Sequence, residues 1–594
     1  MRQQLLNLRK KMKERGVDAC LIPTTDYHGS EYVNDYFKCR KYISGFSGSA
    51  GTLVITQDEA WLWTDGRYFL QAAEQLAGTG IGLMKMGQPG VPTIPEYLQT
   101  VLTADSCLGF DGRVVDCHTG RQLAERFRLQ HDIDLVGEIW EDRPPLSGSA
   151  IYPIPESVTG EPAASKLSRI RQYMAEKGAD YHLITKMEEI AWIFNLRGND
   201  VTNTPVFFSF ALIEQECARL YVLDDRFHSD LDGVEVFPYL QVFDDLRKLA
   251  RGRILLDEEI ASYAIAAAIP DSVEIVSGSD PAELMKALKN STEIASTKNA
   301  HIKDGVAMVE FLYWLKKNIG KMPISEISAA DYLESRRRNQ EGCFDLSFGT
   351  ISGYAANGAI IHYDPTPKSN KELQPEGFLL VDSGGQYKDG TTDITRTIVL
   401  GPLTDTMKEH YTAVLRCNID LATAKFNAGT TGAQLDEIAR KPLHDIGLDY
   451  GHGTGHGVGH ILSVHEGPQI ISPKGTRCPF YPGMITSDEP GVYIEGEYGI
   501  RLENELLCIE THSDLHGGIC AGTPQLQLDR SSSYAFETIT FCPFDREAIL
   551  VERLTDEELA YLNDYHQTVR ETLQPLLCGE VAEWLSEQTA PLER

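Results

Sequence analysis

The chain has no apolar run of the roughly 18 residues that a membrane-crossing helix needs. It also lacks a signal-peptide core: "MRQQLLNLRKKMKERG" sets Leu5, Leu8 and Met12 at helical spacing among charges. No CxxC pair occurs, and the 12 cysteines are scattered without a period. That excludes a disulfide frame and reads as reduced thiols in a cytoplasmic protein. Basic residues are short, 55 against 86 acidic ones, for a net charge of −31. So acidic a surface repels nucleic acid and anionic membrane, which removes both as partners, and is compatible with bound cations. Low-complexity tracts are absent as well.

What is present is a soluble globular composition, 42% hydrophobic and 24% charged, over 594 residues. That length suggests several domains. An internal echo supports the idea. "LLNLRKKMKERGVDACLIPT" (5–24) resembles "KLSRIRQYMAEKGADYHLIT" (166–185), each an amphipathic helix stopped by glycine and followed by a short apolar strand. Two related α/β domains in tandem are expected, over 1–150 and 151–290. The Pro-rich stretch 141–162 would link them, and a second boundary is expected near 288–305. A third domain, 291–594, opens with the long amphipathic helix "HIKDGVAMVEFLYWLKKNIG" and closes with a helical tail after Leu554.

The third domain carries the chemistry. In "VDSGGQYKDGTTDIT", Asp382 ends one apolar run and Asp393 heads another, with glycines between them that predict a hairpin. A loop centred on Tyr387 and Lys388 would set the two aspartates directly opposite, with Cβ atoms about 5 Å apart. A turn on Asp389-Gly390 would keep them on one face but offset them along the strand. Alone, such a pair reads as solvated strand-end acids. A buried carboxylate, however, needs a partner, a proton or a cation.

Company changes that reading. "HGTGHGVGHILSVHEGP" holds His452, His456, His460 and His465 among glycines that permit close backbone approach. A His-rich surface loop is the bland alternative, and at this spacing one or two of the four would serve as ligands. Further on, Glu489 ends an apolar segment. Glu503 follows in a strand where Arg501 and Glu503 point one way and Ile500 and Leu502 the other. Asp382, Asp393, His456, Glu489 and Glu503 together make four carboxylates and one imidazole. That set suits two divalent cations, with Mn²⁺ favoured and Co²⁺ or Zn²⁺ also accommodated. Two such ions sharing a water point to hydrolysis.

These motifs, with "DEPGVYIEGEYGIRLEN", resemble the dinuclear metallopeptidases of the pita-bread fold, and among them the three-domain cytosolic aminopeptidase P (Xaa-Pro aminopeptidase) group. "SGFSGSAGTLVIT" with "WLWTDGRYFLQAAEQL", and "EEIAWIFNLRGNDVTNTPVFFSFALI", are similar to that group's first two, creatinase-like domains. The fold class implied is α/β (α+β), with two creatinase-like N-terminal domains before a pita-bread catalytic domain. The resemblance implies Asp382, Asp393, His456, Glu489 and Glu503 as metal ligands, and His362, His452 and His465 as catalytic and substrate-facing histidines. Arg501 would support the site. His460 receives no role and is expected to be a solvated loop residue.

The implied activity is removal of the N-terminal residue from peptides with proline second. That bond is a tertiary amide without an N–H, and it needs a dedicated site. A hydroxide bridging the metals would attack the carbonyl, Glu489 would carry the proton to the proline nitrogen, and His465 would stabilise the oxyanion. His362 and His452 would line the proline pocket and hydrogen-bond the substrate, and the α-amine would dock beside Asp382. A homodimer is expected from the family. The alternatives are a prolidase acting on Xaa-Pro dipeptides, a methionine aminopeptidase and, from another class, a metal-free peptide-binding module. The two-domain preamble counts against the first two, and the intact ligand set against the third.

Overall fold

A computed structural model describes residues 2–146, 148–224, 227–228, 230–475, 477–511 and 532–594. The chain divides into two compact units. One holds 1–154 and 161–282, the other 155–160 and 283–594.

The first unit contains the same construction twice. Helix Gln3–Arg15 ends on Gly16 at φ 67°, and helix Ala163–Lys177 on Gly178 at φ 63°, the left-handed conformation that costs glycine nothing. Leu5, Leu8 and Met12 are buried in the first helix, and Leu167, Ile170 and Met174 in the second. Each helix leads into a strand of a six-stranded sheet. One sheet runs Gly82–Lys85, Ala60–Thr64, Thr52–Thr56, Ala19–Pro23, Cys107–Gly109, Arg128–Gln130. The other runs Val234–Pro238, Ala218–Val222, Ser209–Glu214, Tyr181–Ile184, Gly252–Leu256, Val273–Ser277. The pattern of parallel and antiparallel neighbours is identical in the two. The echo between 5–24 and 166–185 is thus one part of a doubled domain.

Residues within the expected linker, 141–162, and the expected boundary, 288–305, form regular elements. Tyr152–Pro153 pairs with Leu196–Arg197, and Glu156–Thr159 is a short helix whose Thr159 carbonyl accepts from the Asn290 amide at 2.8 Å. Asn290 also caps the long helix Ser291–Asn318 through a capping box with Glu293. The stretch 288–305 is therefore mostly helical, because that cap starts the helix well before the apolar residues that betray it in sequence.

In the second unit, two three-stranded sheets and a six-stranded sheet converge on one polar region. The six-stranded order is Lys425–Asn427, Ser533–Thr538, Asn504–Glu510, Ile485–Asp488, Gly455–Gly457, Glu466–Ile471. Ile500 and Leu502 enter the apolar core with Tyr411, Val414 and Leu562. The tail helix Asp556–Leu573 is capped by Thr555, whose side chain and that of Glu558 form a capping box. Among the described residues, 11 cysteines are free; Cys520 lies outside them. No helix among the described residues is long and apolar enough to cross a membrane.

Candidate metal centre

Antiparallel pairing of Phe378–Ser383 with Ile394–Val399 sets Asp382 opposite Thr395. The register continues through Gln386 with Thr391 and Tyr387 with Gly390, so Lys388 and Asp389 form the turn. The turn lies one residue from each of the two expected from sequence, which shifts the partner of Asp382 by two residues, from Asp393 to Thr395. Asp382 and Asp393 share a face but stand diagonally, with Thr395 beside them. A Cβ on Gly384 would meet the Thr392 carbonyl oxygen at 1.9 Å, so only glycine lets the strands close this tightly.

The remaining donors arrive on the six-stranded sheet and its margins. Glu489 and Glu503 follow and precede the paired residues Asp488 and Asn504. The Glu489 N–H donates to the Thr454 carbonyl at 2.8 Å, and the Glu503 N–H to the Thr395 carbonyl at 3.1 Å. His456 sits on Gly455–Gly457, where a Cβ on Gly455 would fall 2.0 Å from the Ser487 carbonyl oxygen. The outcome is a knot of donors. His456 Nε2 lies 3.5 Å from Asp393 Oδ2 and 3.6 Å from Glu489 Oε1. Asp393, His456 and Glu503 each place a ligating atom within 4.8 Å of the others. Thr395 Oγ1 donates to Glu503 Oε2 at 2.7 Å, and Arg501 Nη2 to Asp382 Oδ2 at 2.6 Å.

Electrostatics shows what this knot needs. Burial pushes the pKa of Glu503 well above the carboxylate range, and Asp393, Asp382 and Glu489 push it further. Glu489 is raised for the same reason, against the pull of His456 and Arg501, and Asp382 is raised despite its pairing with Arg501. His456 Nδ1 lies 2.9 Å from the Gly457 carbonyl, which can only accept, so that nitrogen carries a hydrogen. A neutral imidazole would then aim its Nε2 lone pair at two carboxylates. Burial alone would lower the His456 pKa, but Asp393 and Glu489 lift it to about 9. Asp382 Oδ1 and Asp393 Oδ1 are buried with no hydrogen-bond partner. Four acids, one lone pair and two orphaned oxygens against a single arginine fit divalent cations held by oxygen-rich ligands.

The histidines divide. The His465 ring lies edge-on to His456 with centroids 4.4 Å apart. His362 is half-buried and follows Ile361, whose carbonyl is 3.4 Å from Arg501 Nη2. His452 donates from Nδ1 to the Gly453 carbonyl at 2.7 Å, and its Nε2 lies 2.8 Å from the Tyr493 hydroxyl. Arg501 Nη1 donates to that same hydroxyl at 2.6 Å, so Tyr493 passes its own proton on to His452. Burial, with Arg501 and His362 nearby, brings the His452 pKa down to about 3. Both its nitrogens are thus engaged within the chain, by Gly453 and Tyr493. His460, expected in solvent, is 3% exposed, with Nδ1 3.1 Å from Thr297 Oγ1.

Sequence reasoning passed over Tyr493, Thr395 and Glu505. Glu505 lies two residues beyond Glu503, and its Oε1 accepts from the Asp393 N–H at 2.8 Å. The alternation that singled out Arg501 and Glu503 extends to Glu505 and could have found it. A cavity of about 530 Å³ belongs to the first unit, lined by Leu21, Trp63, Val91, Ile94 and Ile260, and brings no such donor set together.

Residues 295–510 match the Metallopeptidase family M24, and 532–592 the C-terminal region of that peptidase. Residues 4–144 and 142–293 each match the Creatinase/Prolidase N-terminal domain, in agreement with the doubled sheets. Over the full chain, Aminopeptidase P2 of Arabidopsis thaliana is 38% identical across 100% of this sequence and 89% of its own. Xaa-Pro aminopeptidase 2 of Mus musculus is 37% identical across 99% and 88%. The X-prolyl aminopeptidase of Caenorhabditis elegans, described as a cytosolic enzyme with a di-nuclear active site, superposes at a TM-score of 0.92 with 32% identity, covering 99% of each chain. An Xaa-Pro dipeptidase from Bacillus anthracis covers 64% of this chain at TM-score 0.51 and 24% identity, a likeness of fold. Two creatinase-like domains, a pita-bread domain and full-length identity to these enzymes together place the chain in the aminopeptidase P (Xaa-Pro aminopeptidase) group of metallopeptidase family M24.

Proposed function

We propose that this protein is a metal-dependent Xaa-Pro aminopeptidase, removing the N-terminal residue from peptides whose second residue is proline. Asp382, Asp393, His456, Glu489 and Glu503 hold two divalent cations, Mn²⁺ by preference, with Co²⁺ or Zn²⁺ as substitutes. The observation that carries this is His456 Nε2 facing Asp393 and Glu489 at 3.5 and 3.6 Å, an arrangement of acceptors that calls for a cation at its centre. Bound there, the pair of ions would lower the pKa of a water and polarise the scissile carbonyl.

The chain's own groups supply the rest. Glu489 takes a proton from the attacking water and delivers it to the proline nitrogen as the C–N bond breaks. His465, beside His456, donates to the oxyanion. His362 and the neutral ring of His452 line the proline side. Arg501 holds Asp382 in place, and the substrate α-amine docks beside that carboxylate, which restricts the enzyme to chain ends. Cytoplasmic location and a homodimer complete the proposal. Free cysteines and an acidic surface support the first, and the family resemblance supports the second.

The discriminating experiment offers an Xaa-Pro-Pro tripeptide and an Xaa-Pro dipeptide, each with added Mn²⁺ and with chelator. Cleavage of the tripeptide that stops with chelator is expected. Cleavage of the dipeptide alone would make the protein a prolidase, and peptide binding without cleavage would make it a binding module. Light scattering on the purified chain tests the dimer.

A further inference from the structure

The helix Ser291–Asn318 presents three polar residues at i, i+4 and i+7, all buried: Thr297, His301 and Asp304. Such a stripe on one face of a helix is costly unless each member has a partner. Each has one, and three of the partners, His460, Tyr387 and Glu505, lie on the ligand-bearing segments. Thr297 meets His460. Asp304 Oδ1 accepts from the Tyr387 hydroxyl at 2.8 Å, and both its oxygens accept from Arg337 at 2.7 and 3.0 Å. His301 Nε2 stands 3.1 Å from Glu505 Oε2, at 2% and 0% side-chain exposure. This is a close ion-pair contact; neither atom has a hydrogen-bond partner among the described residues, so each is the other's nearest charged neighbour of opposite sign.

Glu505 is the link that matters. Its other oxygen, Oε1, accepts the Asp393 N–H at 2.8 Å, which fixes the backbone where the strand Ile394–Val399 begins. Among the described residues the Asp393 carboxylate has no hydrogen-bond partner at Oδ1, and its Oδ2 stands 3.5 Å from His456 Nε2. Its direction is therefore set through the backbone, and the backbone is held by Glu505. The helix also lies close against the hairpin turn. A Cβ on Gly390 would be 3.0 Å from both Ala300 Cβ and Thr297 Cα, so the hairpin cannot shift without the helix.

We propose that His301 and Glu505 are positioning residues that act in series, His301 orienting Glu505 and Glu505 orienting Asp393, so that cation affinity depends on a helix residue that touches no ligand. This rests on the metal reading above. Partners one step behind a ligand set its geometry, and losing one typically weakens metal binding by about 10- to 100-fold.

The test is Mn²⁺ titration calorimetry on chelator-stripped full-length protein, with peptide kinetics at saturating Mn²⁺. Wild type should take up two ions. His301→Ala should bind at least one of them about 10- to 100-fold more weakly, with an unchanged peptide KM once Mn²⁺ saturates. His301→Gln, which keeps a donor at similar reach, should recover most of the affinity. The double variant His301→Ala/Glu505→Ala should bind no more weakly than Glu505→Ala alone, because a serial link is already cut there. Wild-type affinity in His301→Ala, or fully additive losses in the double variant, would overturn the proposal. If His301→Ala does not fold by circular dichroism, His301→Asn replaces it. Its shorter arm should bind Mn²⁺ more weakly than His301→Gln, and equal affinities would sink the idea. Failure of the wild type to bind Mn²⁺ would instead refute the metal reading itself.

Discussion

Arg501 and Asp382 form a buried pair, Nη2 to Oδ2 at 2.6 Å, with Arg501 1% exposed. The other arm of the same guanidinium holds Tyr493 at 2.6 Å. A planar guanidinium holds its two partners several ångströms apart in fixed directions, whereas an ammonium is a compact point with rotatable donors. Arg501→Lys should therefore keep the charge balance yet lose the Tyr493 contact, lowering kcat/KM more than thermal stability. Arg501→Ala strands a buried carboxylate and should cost about 3–5 kcal/mol of stability. Parallel melting curves and kinetics on the two variants check the ordering.

Glu489→Gln removes the proposed proton carrier while preserving shape and one ligating oxygen. Turnover of a tripeptide should fall by about 10²–10⁴-fold, the usual worth of general acid–base catalysis. Metal content, measured by elemental analysis, separates this role from mere ligation. Near-normal rates in a metal-replete variant would remove Glu489 from the mechanism.

Much of this site could be read from the residues because its donors sit in compact motifs with glycines at fixed offsets. Gly455 marked a close backbone approach and Gly384 a hairpin, and the structure puts a carbonyl oxygen against each. Ile500 and Leu502 do enter the core while Arg501 and Glu503 face the donors, but not within one strand: a strand ends at Arg501 and the next begins at Asn504, with Leu502 and Glu503 between them. The hairpin register did not follow, because glycines on both sides of Lys388-Asp389 allow several turns, and packing against helix Ser291–Asn318 selects among them. His301 was invisible for a different reason. A polar residue in an amphipathic helix reads as solvent-facing, and only tertiary contacts show that this one faces inward. The doubled N-terminal domain was legible from helix, glycine and strand alone, whereas the cap at Asn290 was overlooked.

Asp420 offers a test at a distance from the donor set. Burial, then the neighbouring Glu558, raises its pKa from 3.8 to about 6. A carboxylic acid whose folded pKa exceeds its unfolded one binds protons more tightly when folded. Its ionised form therefore weakens the fold above about pH 6, and the penalty disappears below the unfolded pKa. Asp420→Asn should raise the unfolding free energy from urea titration at pH 7.5 by about 1 kcal/mol after allowance for partial solvent screening. The gain should shrink as the pH approaches 4. A gain of equal size at both values would contradict the ionisation argument.

Glu466, the residue after His465, accepts from two buried ammonium groups, Lys286 Nζ at 2.7 Å and Lys289 Nζ. All three side chains are 4% exposed or less. Two ammonium groups converge on one carboxylate, so Glu466 is the group on which both contacts depend. Lys289→Met keeps the Lys286–Glu466 contact and should cost little stability. Glu466→Gln leaves two cations facing a neutral amide away from water, and should cost about 3–5 kcal/mol. Because His465 is bonded directly to this anchor, the same variant should lower kcat at saturating Mn²⁺, whereas Lys289→Met should largely retain it. Melting temperatures and kcat for the two variants decide the matter, and a larger loss from Lys289→Met would mean that the lysines, not the carboxylate, organise the turn.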